Sequence, residues 1–357
     1  VPLRALAHLG DAQSVSVLYF GVSVGAVIGT LCVPPVVQWI GRRWVFLGGM
    51  FVQIACAPML AADSAVWFVI GLASQVIGVA AADICLNLYV LELIQRRELA
   101  RFEPLRLFYA GVGWTLGPWL GVFLFEHLFW LPFALSAGLA AVVALHFKIL
   151  GLVDGPPRQA RSQGLINPVR YLPRYFAQPR LRLAWFLAFG RSSWWCVFYI
   201  YAPIYLVATG TDESVTAAVI SAANGGIFLV RLWGRIAQRF GTRWLLFLGF
   251  SLTSLSTLAV TLVPSQPLLV AGVLLFSALC ASVIDGAGNV PFLRAVKPLE
   301  RAEMASVFMT YRDSSQLIPP ACFSVLLRYI ELAAVFAVSA AALMVLLPFL
   351  KHIPRRM

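Results

Sequence analysis

Apolar runs of roughly 20 residues, separated by short polar loops, follow one another along most of the chain. A helix needs about 20 predominantly apolar residues to cross a bilayer, so this pattern predicts membrane-spanning helices. We predict eleven spans, at about Val17–Ile40, Val45–Ala62, Val66–Ile94, Leu105–Phe125, Leu128–Leu150, Leu183–Val207, Ala217–Ala237, Leu245–Val263, Leu268–Leu293, Ala305–Leu327 and Ala333–Leu350. A polar stretch rich in Pro and Arg, Gly151–Arg180, separates the first five spans from the last six.

The composition supports a membrane protein. Hydrophobic residues make up 61% of the chain and charged residues 12%, and the mean hydropathy is +0.85. The net charge of +12 does not indicate nucleic-acid binding, because the arginines lie in short loops between apolar runs. The six cysteines lie within apolar segments without a Cys-x-x-Cys pair, so we predict neither disulfides nor a metal site. The sequence has no Walker-type phosphate loop and no catalytic residues that we can identify, so we expect no enzyme and no cofactor.

Basic residues concentrate in alternate loops. These loops and the tail hold Arg42, Arg43, Arg96, Arg97, Arg101, Arg158, Arg161, Arg170, Arg174, Arg180, Arg239, Arg243, Lys297, Arg301, Lys351, Arg355 and Arg356. The intervening loops hold Asp11, Asp63, Glu126, Asp212, Glu213 and Glu331. Because Lys and Arg are enriched in cytoplasmic loops, we predict a multi-pass protein of the cell inner (plasma) membrane. Its central loop and C-terminus are then cytoplasmic.

An internal repeat relates the two sets of spans. Residues 200 positions apart match at Gly25, Gln38, Gly41, Arg43, Trp44 and Gly49, whose partners are Gly225, Gln238, Gly241, Arg243, Trp244 and Gly249. Residues 202 positions apart match at Asp83, Asn87, Glu98, Tyr109 and Pro118, whose partners are Asp285, Asn289, Glu300, Tyr311 and Pro320. We therefore predict an all-α membrane protein of two six-helix bundles related by a parallel repeat. Its domains are an N-terminal half (1–150, helices 2–6), a cytoplasmic linker (151–182) and a C-terminal half (183–357, helices 7–12).

The repeat also predicts a missing element. The first helix of the second half, Leu183–Leu206, has a counterpart that falls almost wholly before Val1. We therefore expect an N-terminally truncated form of a twelve-helix protein.

Charged residues inside the predicted spans are the candidate site. Asp83 with Asn87 and Asp285 with Asn289 have the same spacing, which would place acid and amide one turn apart on one helix face. Arg191 is expected at the depth of both acids. A charge within a spanning helix is costly and usually marks a solute or proton path.

The aromatic residues Trp194 and Trp195, which follow Arg191, could stack on an aromatic or cationic solute. Two alternatives stay open. The charged residues could form a structural ion pair that locks the halves, and most of the aromatic side chains could face lipid or the protein core. We expect Gly286 and Gly288 to open space around Asp285.

Two basic loops carry matching residues, Gly41 with Arg43 and Gly241 with Arg243. These loops resemble a conserved loop of the major facilitator superfamily. The family's loop between helices two and three reads Gly-x-Leu-x-Asp-Arg-x-Gly-Arg-Arg. The second half carries Gly234, Ile236, Gln238, Arg239, Gly241 and Arg243, and the first carries Gly41, Arg42 and Arg43 with Pro34 and Gln38 in place of the first Gly and the Asp. By this resemblance, these residues take part in the conformational change, and we expect the glycines to pack closely.

A second motif is similar to one in the family's drug/proton antiporters, Gly-x-x-x-Gly-Pro-x-x-Gly-Gly. It comprises Gly113, Gly117, Pro118 and Gly121, with Val122 at the last Gly. We expect these glycines to form a smooth face for close helix packing and Pro118 to bend the helix. Ser74 stands where the family's helix-four motif has Arg.

The resemblance implies a secondary active transporter that moves a small solute by alternating access, with proton-coupled efflux favoured. The alternatives are a proton-coupled uptake permease for a metabolite and a non-transporting sensor or truncated product on the same fold. We expect the partners to be a small-molecule solute, protons and the lipid bilayer, with no nucleic acid, and we expect a monomer.

Overall fold

The computed structural model describes residues 1–94, 96–151, 168–263, 266–297 and 300–353, where all regular structure is helical. Before the central loop lie α1 (Pro2–Leu9), α2 (Ala12–Ile40), α3 (Arg42–Ala61), α4 (Ala65–Leu93), α5 (Arg96–His127) and α6 (Leu131–Ile149). After it lie α7 (Pro168–Phe176), α8 (Pro179–Ala208), α9 (Glu213–Asn224), α10 (Val230–Phe240), α11 (Thr242–Ala259), α12 (Pro267–Ala287), α13 (Val290–Ala295), α14 (Arg301–Leu326) and α15 (Ala334–Leu346). Short 3-10 segments, Gly225–Leu229, Val260–Leu262 and Leu347–His352, extend α9, α11 and α15.

Nine helical segments among the described residues are long and apolar enough to cross a bilayer. They are Ala12–Ile40, Arg42–Ala61, Ala65–Val90, Phe108–His127, Leu131–Ile149, Glu213–Phe240, Thr242–Leu262, Pro267–Ala295 and Ala334–His352. All nine overlap predicted spans, so the chain is an integral multi-pass membrane protein. Helices α8 and α14 occupy the two remaining predicted positions and are 30 and 26 residues long. They do not belong to these nine, so a total of eleven spans stays a prediction.

The chain forms two compact units. The C-terminal unit comprises Val1–Leu3, Gly111–Trp119 and Leu165–Met357, and the N-terminal unit comprises Arg4–Ala110 and Leu120–Gly164. Residues 152–167 of the predicted cytoplasmic linker lie outside the described residues. The linker's described end contains α7, a short helix that the hydropathy pattern did not predict and that packs on α8 and α14.

The core of the N-terminal unit lies where α3 packs on α4 and α6. Phe46 of α3 and Phe147 of α6 have ring centroids 4.2 Å apart, and Cys85 of α4 is fully buried beside them. A Cβ on Gly49 would lie 2.8 Å from the carbonyl oxygen of Gly78. This glycine therefore permits α3 and α4 to approach backbone to backbone.

The core of the C-terminal unit has two packed regions. Helices α7, α8, α13 and α14 bury Tyr175 and the stacked pair Phe292 and Phe308, whose ring centroids are 4.2 Å apart. Helix α11 packs on α12 and α15. A Cβ on Gly249 of α11 would lie 2.8 Å from a side-chain carbon of Ile284 in α12. Gly249 thus makes a close helix approach like that of Gly49, its partner 200 positions earlier.

Paired glycines adopt the same backbone conformation in the two halves of the sequence. Gly10 and Gly210 have φ angles of 84° and 88°, and they follow the ends of α1 and α8. Gly41 and Gly241 have φ angles of 90° and 94°. Such angles are rare for residues with a Cβ, so the repeat seen in the sequence corresponds to repeated turn geometry at these positions.

Candidate functional site

Three side chains that the sequence singled out meet in the C-terminal unit. Arg191 on α8 donates to Oδ1 of Asp285 on α12 at 3.1 Å, and the indole N–H of Trp195 donates to Oδ2 at 3.0 Å. The Arg191 side chain is 15% exposed and that of Asp285 is 26% exposed. Because each carboxylate oxygen has its own donor, the ion pair is both charge-balanced and oriented.

Tyr311 is a further member of this cluster that the site prediction missed. Its hydroxyl accepts a hydrogen bond from Arg191 at 3.4 Å, and the residue, on α14, is 5% exposed. Arg191 therefore has partners on both α12 and α14. The only sequence signal was that Tyr311 and Tyr109 match in the repeat.

Asn289 does not lie one helical turn from Asp285, so that prediction was wrong. Helix α12 ends at Ala287, and the chain turns at Gly288, where φ is 50° and ψ is −132°. Helix α13 begins after Asn289 with Pro291 in its first turn. A glycine with positive φ and a proline that cannot continue the helical hydrogen bonds together explain the break.

Gly286 does not open space around the carboxylate, which corrects a second expectation. A Cβ at Gly286 would lie 2.2 Å from the Cβ of Trp233 on α10. The Trp233 indole donates to Ser282 on α12 at 3.0 Å. The glycine beside Asp285 therefore admits the neighbouring helix and fixes α12 against α10.

Trp194 belongs to the core and not to the carboxylate cluster. It is 4% exposed, and its indole N–H donates to the hydroxyl of Thr257 at 2.9 Å. Its ring stacks on Phe198 with the centroids 5.2 Å apart. Successive residues on a helix point about 100° apart, so Trp194 and Trp195 face different neighbours.

The acid and amide of the N-terminal unit do have the predicted geometry. Within the unbroken helix α4, Nδ2 of Asn87 donates to Oδ2 of the exposed Asp83 at 3.2 Å. Arg106 on α5 donates to Oδ1 of Asn87 at 2.6 Å. Arg106 was not among the site residues predicted from the sequence, although it is a basic residue inside a predicted span. The two related acids thus have different surroundings: Asp285 contacts its arginine directly, whereas an amide lies between Asp83 and Arg106.

The loop-motif glycines Gly41 and Gly241 each end one helix and precede the next. Their N–H groups donate to the carbonyls of Val37 and Ala237 at 3.0 and 2.8 Å. Their ψ angles are 152° and 143°, which with their φ values is a conformation almost restricted to glycine. These two residues are therefore required by the turn itself.

The motif arginines occupy matching places at the start of the next helix. Arg43 and Arg243 are the second residues of α3 and α11. The guanidinium of Arg42 lies 4.9 Å from the ring centroid of Tyr89, and that of Arg239 lies 5.5 Å from the ring centroid of Phe240. Both contacts are within the range of cation–π attraction.

Close packing at the other motif glycines was predicted wrongly. A Cβ built on Gly113, Gly117, Gly121 or Gly234 would meet no described atom within 4 Å. In α5, Gly111 makes the close contact instead, because its Cβ would lie 3.0 Å from Ile227. Spacing identifies a smooth helix face, but another element must lie against that face before the glycines matter for packing.

The fold and site define an integral membrane protein whose helices hold charged and amide side chains in polar contacts. The sequence model described as Major Facilitator Superfamily matches residues 1–320. The chain therefore belongs to the major facilitator superfamily, a family of membrane transporters, and it is not an enzyme. The family resemblance drawn from the loop motifs is confirmed at this level.

Two solved structures with a similar fold are named as transporters. A mutant of the nucleoside transporter NupG matches with a TM-score of 0.77 and 14% identity, covering 98% of this chain and 94% of that chain. The peptide transporter POT in complex with sulfate matches with a TM-score of 0.71 and 16% identity, covering 97% of this chain and 87% of that chain. At these identities the similarity concerns the fold. No curated protein matches the sequence.

Proposed function

We propose that this protein is a secondary active transporter that moves a small solute by alternating access and couples the movement to protons, with efflux as the favoured direction. One observation carries the proposal. Asp285 lies between Arg191 and Trp195 at the point where α12 breaks. Ionisable groups inside membrane helices are costly, and they commonly serve solute or proton pathways.

The proposed coupling depends on the separation of an ion pair. In the arrangement described, the carboxylate of Asp285 is balanced by Arg191 and oriented by Trp195. A carboxylate moved away from an arginine into apolar surroundings takes up a proton more readily. If conformational change moves α8 relative to α12, protonation of Asp285 replaces the charge balance that Arg191 supplied, and Arg191 becomes available to an anionic or polar solute.

The N-terminal unit supplies a second polar group in this proposal. Asp83 is exposed and is hydrogen-bonded to Asn87, which in turn accepts a hydrogen bond from Arg106. The amide keeps the acid and the arginine in one connected set of contacts. We assign this set a role in solute or proton binding, with Asp285 as the primary coupling residue.

Two observations bear on the direction of transport and the solute. Efflux is favoured by the sequence around Pro118, which resembles the antiporter motif. Uptake of a metabolite is the alternative. Proteins of similar fold that are named as nucleoside and peptide transporters suggest small polar solutes for either direction. The stacked rings of Trp195 and Tyr199, with centroids 5.5 Å apart, suit an aromatic or cationic solute in either direction.

The test is reconstitution in liposomes with an imposed pH gradient. Candidate solutes are uridine, dialanine and the aromatic cation ethidium, and proton movement is followed with an internal pH dye. We expect Asp285→Asn to abolish uphill transport while solute exchange without a gradient survives better. Asp212→Asn is the matched control, because it makes the same change at an exposed acid that directly precedes α9. This variant should behave like the parent protein. Uphill transport by Asp285→Asn at the parent rate would show that the acid is structural.

The sensor alternative has its own outcome. If neither the parent protein nor any variant moves a solute or a proton, but a solute still shifts the melting temperature, the protein binds without transporting. That result would replace the transporter proposal with a receptor-like role on the same fold.

A further inference from the structure

Helix α5 continues through Pro118, and another helix satisfies the hydrogen bond that the proline removes. Proline has no N–H, so the carbonyl of Trp114, four residues earlier, loses its helical donor. Nδ2 of Asn224 on α9 donates to that carbonyl at 2.8 Å. One turn earlier on α9, Oγ of Ser221 accepts from the backbone N–H of Trp119 at 2.9 Å. In a bilayer, side chains of neighbouring helices commonly satisfy backbone groups freed by proline in this way.

The same asparagine is connected to the carboxylate site. Oδ1 of Asn224 accepts a hydrogen bond from the hydroxyl of Tyr199 on α8. The Tyr199 ring stacks on Trp195 at an interplanar angle of 22°, and Trp195 donates to Asp285. Asn224 is 8% exposed. Both polar atoms of its amide are therefore hydrogen-bonded: Oδ1 accepts from Tyr199 and Nδ2 donates to the Trp114 carbonyl. These two bonds fix the orientation of the amide.

We propose that Asn224 is a positioning residue that connects the state of Asp285 to the docking of the Gly111–Trp119 segment of α5. The role of this connection in transport rests on the proposed function. The hydrogen bonds and ring contacts that form the connection do not. When Asp285 holds Trp195, Tyr199 is aligned on Asn224 and the freed carbonyl of α5 is satisfied. When the carboxylate releases Trp195, the stacked pair can turn, Asn224 loses its fixed orientation, and the α5 segment undocks more often.

Proline makes this connection possible. At other positions of α5 a helical carbonyl is already bonded to its own helix and gains little from a neighbouring side chain. At Trp114 the alternative to Asn224 is an unsatisfied carbonyl within the membrane, which is costly. The Asn224 side chain therefore contributes directly to the difference in stability between the docked and undocked arrangements of the segment, beside the Ser221 contact.

The test measures hydrogen exchange of the Gly111–Trp119 segment in the intact protein by mass spectrometry. Asp285→Asn leaves one acceptor oxygen for two donors, the Arg191 guanidinium and the Trp195 indole, and so weakens the hold on Trp195. It should increase the exchange rate of the segment, although residue 285 lies on another helix. Tyr199→Phe, which removes the hydroxyl and keeps the stacked ring, should increase the rate by between about two- and tenfold, the effect of losing one typical hydrogen bond. The control is Thr257→Val, which removes the hydrogen bond to the neighbouring Trp194 and should leave the segment's exchange unchanged.

The combined variant tests whether both substitutions act through one path. Asp285→Asn together with Tyr199→Phe should exchange no faster than the faster single variant, because the connection is already broken. Unchanged exchange in Asp285→Asn, or equal acceleration by Thr257→Val, would overturn the proposal. Accelerated exchange in Asp285→Asn with normal uphill transport would keep the connection and reject the proton-coupling function, so the two failures can be told apart.

Discussion

Substitution of Gly286 by alanine is a direct test of the helix contact that holds the carboxylate's helix in place. The new Cβ would lie 2.2 Å from the Cβ of Trp233 and 3.3 Å from its Cα and carbonyl carbon. Carbon atoms are in favourable contact at about 3.5–4.0 Å, so α10 and α12 must separate by roughly 1 Å or more. The Cβ of Trp233 is bonded to the helix backbone, so a change of rotamer cannot relieve the overlap.

The expected loss of stability can be estimated from two opposing effects. Overpacking a well-packed site costs about 1–3 kcal/mol, while alanine in a helix is favoured over glycine by about 1 kcal/mol. We therefore expect Gly286→Ala to lower the free energy of unfolding by up to about 2 kcal/mol, the overpacking cost minus the gain in helix propensity. We also expect it to reduce transport, because a shift of α12 moves Asp285, the adjacent residue.

Gly272→Ala is the matched control for this prediction. Gly272 lies on the same helix, and a Cβ there would meet no described atom within 4 Å. This variant should be as stable as the parent or more stable, by up to about 1 kcal/mol. Thermal unfolding of both variants in one detergent, followed by tryptophan fluorescence, measures the difference. Equal melting temperatures for the two would refute the close contact between α10 and α12.

Three further predictions concern other elements. Gly241→Ala should destabilise the protein by about 1–3 kcal/mol, because alanine is strained at the φ of 94° that Gly241 adopts. Its control is Gly117→Ala, at an open helical position, which should be neutral or slightly stabilising in the same unfolding assay. The Ser14 backbone N–H bonded to Asp11 lowers the pKa of that carboxyl below 3.8. The stability that ionised Asp11 contributes is therefore fully present above pH 3.8 and is lost as the pH falls through the lowered pKa of the folded protein. Asp11→Ala should consequently destabilise the protein at neutral pH but not in acid. Finally, Ser162→Cys in the central loop should resist an impermeant thiol reagent added to intact cells, and strong labelling from outside would reverse the predicted orientation.

Local sequence patterns determined most of the helices. The apolar runs predicted the positions of the long helices because a bilayer demands about 20 apolar residues per crossing. Gly41 and Gly241 marked helix ends, and both lie there with positive φ. The spacing of Asp83 and Asn87 correctly predicted that they lie one turn apart on one helix face, because they share an unbroken helix; there they also form a hydrogen bond.

Breaks inside a helix were harder to predict than ends. Gly288 and Pro291 were both visible in the sequence, but the surrounding run is apolar enough to be one span. The structure ends α12 at Ala287, which separates Asn289 from Asp285. Pro118 shows the opposite outcome, since α5 continues through it. Helices α3 and α8 also continue through prolines, Pro58 and Pro203. What distinguishes the break after α12 is the positive φ of Gly288, while at Pro118 Asn224 satisfies the carbonyl left without a donor.

Only the tertiary structure decided which side chains meet. Trp194 and Trp195 are adjacent, yet one donates to Thr257 in the core and the other to Asp285. In a soluble protein the hydrophobic period shows which helix face is buried, because the other face meets water. In a bilayer the helix face toward lipid and the face toward protein are both apolar. The hydrophobic repeat along the sequence therefore says little about which face packs against another helix. The ion pair of Arg191 and Asp285, 94 residues apart, therefore depends on helix packing that the sequence pattern does not encode.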